Sequence, residues 1–168
     1  MSRFFKALLI LATVISCSPK ETTQKVSFKQ VEFQIPAEWK HNVEELEKNF
    51  VYQITSTDSL EINLFMIGWI ESELEPEMYI DVMKQGLLEE SDDVAYEFGD
   101  YENEKFMGAD AIRSQINAKT EAYEATGKMY VFKKYGKSYF ILIQGSSYFF
   151  ESKSANKILS SLKIQETK

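Results

Sequence analysis

The stretch SLEINLFMIGWI, residues 59–70, has no wet side. Ile62, Leu64 and Met66 share one parity, and Phe65 and Ile67 share the other. Side chains alternate across a strand, so a strand made from these residues is apolar on both faces. SYFILIQG, residues 138–145, makes the same demand. Two such strands need central places in a sheet, with cover on each face.

Two amphipathic helices can supply that cover. Pro76 opens the first, where its missing N–H costs nothing, and Glu75 and Glu77 suit the positive end of the helix. Ile80, Met83 and Leu87 recur at spacings of three and four, with Tyr79 and Val82 beside them. The run EESDD ends it. The second helix is expected from about Ser152 to Leu162, with Ala155, Ile158, Leu159 and Leu162 on one face.

The other elements follow from alternation and turn signals. VEFQIP sets Val31, Phe33 and Ile35 against Glu32 and Gln34, a strand stopped by Pro36. HNVEELEKN reads as a polar turn or short helix. FVYQIT forms a hairpin with residues 59–70 around STDS. Further strands are expected at about Val94–Tyr101, Ala109–Ala118 and Lys128–Lys134, with YGK turning the chain into residues 138–145. The fold class expected is α+β: a mostly antiparallel sheet with helices on both faces, an α/β/α sandwich. A closed barrel competes, but it leaves the helices without a role.

The first residues, MSRFFK, carry Arg3 and Lys6, and nine apolar or small residues, Ala7–Ile15, follow. A basic start, a short apolar core and a small-residue site describe a secretory signal. That core is too short to span a bilayer, which takes about 20 residues. It ends in VISC, Val14 to Cys17. This resembles the bacterial lipobox, and the resemblance implies a lipoprotein in which Cys17 carries diacylglycerol and becomes the new N-terminus. Ser18 stands where the inner-membrane retention signal of enterobacteria has aspartate, which favours the outer membrane. CSPKE resembles the export tag of surface lipoproteins in the Bacteroidetes group. The organisation expected is a signal peptide over 1–17, a flexible tether over 18–25 and one globular domain over 26–168.

Loss of residues 1–17 leaves 17 basic against 26 acidic residues, a net charge of −9. That balance opposes nucleic acid and anionic lipid heads. Membrane attachment is therefore expected through the N-terminal lipid, and a protein is the expected partner.

The order VEFQIPAEW, hairpin, helix, long antiparallel strands and KILSSLKI resembles the PsbP-like fold. That superfamily includes the photosystem II extrinsic protein PsbP, the Ran-binding Mog proteins, DcrB-like lipoproteins and effector chaperones of type VI secretion. The resemblance rests on Pro36 and Trp39 after the early strand and on the final SLKI.

Few residues here suit catalysis. Cys17 is the only cysteine, so no internal disulfide forms, and its sulfur is expected to be committed to lipid. His41 is the only histidine, which argues against a catalytic triad or a zinc site. The seven glycines form no phosphate loop. The acidic runs ESELEPE and EESDDVAYEFGDYENE lack the EF-hand pattern and read as solvated surface. No metal and no cofactor is expected. Arg113, the only arginine after Cys17, is a candidate ligand residue because guanidinium grips carboxylate or phosphate with two bonds. Trp39 and Trp69, with SYFF at 147–150, are candidates for an aromatic recognition surface. The function expected is a non-enzymatic, lipid-anchored module of the Gram-negative envelope that binds a protein or assists assembly. The alternative is a carboxylate-dependent envelope hydrolase.

Overall fold

The computed structural model describes residues 22–46, 51–60, 62–89, 93–146, 149 and 152–166. Its elements run β1 (Thr23–Phe28), β2 (Val31–Pro36), β3 (Lys40–Leu46), β4 (Val51–Thr57), β5 (Leu64–Ile70), α1 (Pro76–Glu89), β6 (Ala95–Phe98), β7 (Glu102–Phe106), β8 (Ala109–Lys119), β9 (Glu124–Lys134), β10 (Lys137–Gly145), α2 (Lys153–Ser161) and β11 (Lys163–Ile164). The large sheet has the order β3-β4-β5-β10-β9-β8-β6, with β7 also paired to β8. A small sheet has the order β1-β2-β11. Every pairing is antiparallel.

The two doubly apolar segments sit side by side at the centre as β5 and β10. Tyr139, Ile141 and Ile143 of β10 face one core, while Phe140 and Leu142 face the other. α1 closes the second face with Tyr79 and Ile80 against Ile112, Met129, Val131 and Phe140. The first face is covered by α2, through Ala155 and Ile158, together with Val26, Val31, Phe33 and Ile35 of the small sheet. The expected helices on both faces are thus present, and one face gains a second, three-stranded sheet. Ser152 caps α2 by accepting the Ala155 N–H at 3.1 Å.

A row of large side chains crosses the sheet in register. Tyr52 of β4 stands opposite Trp69 of β5, Trp69 opposite Tyr139 of β10, and Tyr139 opposite Phe132 of β9. Tight hairpins hold this register. Met107-Gly108 and Tyr135-Gly136 both have positive φ at both residues, which the twist of a two-residue hairpin favours. Gly127 is required by close approach: a Cβ there would stand 2.7 Å from Ile116 Cγ2 and 2.9 Å from the Ile143 carbonyl oxygen.

Three expectations change. Residues 41–46 of the segment 41–49, expected as a polar turn or short helix, belong to β3, whose side chains are exposed along its whole length. Pairing with β4 imposes that conformation. β7 was not expected at all. Strand β1 begins at Thr23, so residues 23–25 of the expected tether belong to the small sheet. The expected signal peptide and Cys17 lie outside the described residues.

Candidate functional site

Helix α1 has more apolar residues than its core face needs. Tyr79 and Ile80 are buried, but Met78, Val82 and Leu88 are 56%, 54% and 57% exposed. Met78 and Val82 lie one turn apart on the outer surface. Tyr101, between β6 and β7, stands beside this surface and donates its hydroxyl to the Asp81 carboxylate. Lys84 Nζ lies 4.1 Å from the centre of the Tyr101 ring and 5.1 Å from that of Phe98, within cation–π range. Burial pushes the Lys84 ammonium down, against the pull of Asp81 and Asp100.

Burial first, and then the bond to Asp81, push the Tyr101 hydroxyl from 10.0 up to about 12. A group whose folded value is raised contributes stability that is complete below its unfolded value. That contribution is lost as pH rises through the folded value, here between pH 10.0 and about 12. Ultraviolet phenolate titration of the native chain is therefore expected to show a tyrosine titrating near 12. Asp81→Asn is expected to move it only part of the way back, because burial is the larger cause.

At the start of α1 lies a cleft of about 480 Å³. Glu75 and Glu77 line one side, and Asn103, Glu104, Lys105 and Asp110 of the β7–β8 hairpin line the other. Three of these acids are paired: Glu75 with Lys133 at 2.7 Å, Asp110 with Lys105 at 2.5 Å, and Glu104 with Arg113 at 3.0 Å. Among the described residues, no group of three or more His, Cys, Asp or Glu side chains is placed to hold a metal ion. The cleft offers carboxylate acceptors to a donor or a cation.

Arg113 sits on β8, directly opposite Glu102 of β7, with Glu104 two residues further along. Its Nη2 bonds Glu102 and its Nε bonds Glu104. The guanidinium that sequence reading offered to a ligand is spent on two carboxylates of the neighbouring strand. Arg113→Ala is expected to cost about 0.5–1 kcal/mol, because Glu102 is well exposed, Glu104 is about a third exposed and the pairing is partly screened. The loss should shrink in high salt, as measured by urea unfolding.

Neither tryptophan presents an open face. Trp39 is 6% exposed and stacks on Phe149 at 5.8 Å, and Trp69 is fully buried. Both belong to the first core, as does Phe149, and residues 147, 148 and 150 of the expected aromatic surface lie outside the described residues. His41 is exposed on β3.

The acidic residues are concentrated in one stretch of the chain. Residues 71–110, the stretch that contains α1, β6 and β7, hold 14 acids against two lysines, a net charge of −12. The rest of the chain has 12 acids against 17 basic residues. Sequence reading found the acids as separate solvated stretches and missed Asn103 and Lys105, because β7 lacks any apolar alternation to mark it as a strand.

No family model matches the chain, and no curated protein matches it. Among solved structures, the solution structure of cyanobacterial PsbP (CyanoP) from Synechocystis sp. PCC 6803 superposes with a TM-score of 0.61. It is 13% identical, over 90% of this chain and 99% of that one. LpqN of Mycobacterium tuberculosis, described as involved in cell envelope biogenesis, covers 86% of this chain and 91% of its own at 11% identity, with a TM-score of 0.42. At that score LpqN adds nothing to the fold assignment. The likeness to CyanoP, with sheet and helices placed as described, shows that this chain has the PsbP-like fold.

Proposed function

We propose that the chain is a lipid-anchored lipoprotein of the Gram-negative cell envelope, held at the outer membrane, whose domain binds a protein or assists assembly. The single observation that carries the binding role is the outer face of α1, where Met78, Val82 and Leu88 stand exposed in an acidic field. Exposed apolar side chains grouped among charges mark contact surfaces, and methionine and tyrosine are enriched in such contacts. The acidic surround favours a basic partner and speeds its approach. The signal-like N-terminus and VISC support the anchor. Among the described residues, no helix is long and apolar enough to cross a membrane.

The experiment is recovery of partners from detergent-solubilised envelopes with the tethered protein as bait. One partner retained by the wild type and reduced at least tenfold by Met78→Gln with Val82→Gln supports the reading. Equal recovery by both baits overturns it. The cleft beside Glu104 and Asp110 favours a second reading, a carboxylate-dependent hydrolase. That reading requires turnover of a glycan or ester substrate that Glu104→Gln abolishes.

A further inference from the structure

Strand β3 ends the large sheet and pairs only with β4 among the described residues. All seven of its residues are exposed. Among the described residues nothing pairs with its outer edge, whose N–H and C=O groups form a template for another strand. Proteins usually blunt such edges with charge. Charge of one sign would repel any second copy, but here the signs are separated along the strand. Lys40 and His41 lead, and Glu44 and Glu45 follow.

We infer that β3 is a self-recognition edge that pairs antiparallel with β3 of a second copy of this chain. A two-fold axis normal to the sheet keeps each side chain on its own face, so a residue sits on the axis. Centring the axis on Val43 overlaps the whole strand. Val43 then meets Val43, and His41 meets Glu45, which accepts its ring N–H. Asn42 meets Glu44, a pair that already bonds along the strand at 2.9 Å. Lys40 lays its stem against Leu46 and stands diagonal to Glu44. Cross-strand pairs of this kind each contribute modestly, and the backbone ladder supplies the rest. Val43 and Leu46, 36% and 44% exposed, gain apolar partners. The contact is isologous and closes at two copies. It uses a different surface from the outer face of α1 and stands independently of the proposed partner.

The test is sedimentation of the full chain in detergent from micromolar to near-millimolar concentration. The expected result is a reversible dimer that dissociates on dilution and weakens in salt. Glu44→Lys with Glu45→Lys makes β3 wholly basic, and Lys40→Glu with His41→Glu makes it wholly acidic. Each double variant is expected to dimerise at least tenfold more weakly than the wild type, and an equimolar mixture of the two should recover the dimer. Hydrogen exchange of the unsubstituted chain provides a check free of folding defects: amides of residues 40–46 should gain protection with concentration. A chain that stays monomeric throughout overturns the inference. So does a dimer indifferent to both variants, a mixture that fails to pair, or protection confined to other strands.

Discussion

A Trp69→Ala chain is expected to lose about 3–5 kcal/mol of folding stability, the range for truncating a buried tryptophan. Trp69 is fully buried at the middle of the aromatic row. Its ring lies 5.2 Å from Tyr52, 6.0 Å from Phe28 and 6.3 Å from Tyr139. Its Nε1–H donates to Glu71 at 3.3 Å. Alanine removes the ring from three neighbours on two strands and on the β1–β2 hairpin, so the space cannot close by moving one side chain. A domain of this kind is stable by only about 5–15 kcal/mol, so the loss is a large fraction of the whole. Urea unfolding followed by circular dichroism measures it. Trp69→Phe should lose less than half as much, because a smaller ring still bridges Tyr52 and Tyr139. Val43→Ala, on the exposed β3, should stay within about 0.5 kcal/mol. A loss below about 1 kcal/mol for Trp69→Ala would mean that the aromatic row does not hold β4, β5 and β10 together.

The central strands and the buried sides of both helices were legible from their apolar periodicity, whereas β1, with only Val26 and Phe28 to mark it, and the two-residue β11 were not, although Val26 and Ile164 are buried. Residues 64–70 and 138–145 carry apolar residues at both parities, and this alone places them at the centre with cover on both sides. The same parity, extended two residues past Ile67, puts Trp69 with Phe65 and Ile67 in the first core, against its candidacy as a recognition residue. Strand β3 gave no such signal, because both its faces meet water and its conformation comes from the ladder with β4. β7, Glu102–Phe106, was missed for a related reason: Phe106, which stacks on Tyr130 at 4.4 Å, is its only apolar residue. Missing β7 hid the site as well. Arg113 was found as a lone guanidinium, but its partners Glu102 and Glu104 are fixed by register with a strand that composition does not announce. Register is a property of two segments together, and a single pass along the chain does not contain it. The α1 surface was half legible: the 3.6-residue period predicted the buried side, and Val82 was placed with it. The structure puts Val82 outside, beside Met78.

Replacing Cys17 with serine is expected to move the chain from the membrane fraction to the aqueous one, in both sedimentation of lysed cells and detergent phase partition. The reasoning is one of magnitudes. The nine residues Ala7–Ile15 are too few to span a bilayer. The charge after Cys17 is −9, which repels anionic lipid heads and gives no electrostatic hold. Acyl chains contribute about 0.8 kcal/mol per buried methylene, and a single chain binds only reversibly. The lipobox resemblance implies more than one chain on Cys17, enough for a permanent tether. On the proposed reading the anchor resides in one sulfur, and serine cannot accept the thioether. The loss is all-or-none in this assay, unlike the graded effects in the folded domain. The body should remain folded, since the sheet and both helices begin at Thr23 or later, and circular dichroism of the released chain checks this. A serine variant that partitions like the wild type, or a wild-type terminus whose mass shows an unmodified thiol, would overturn the proposed lipid anchor at Cys17.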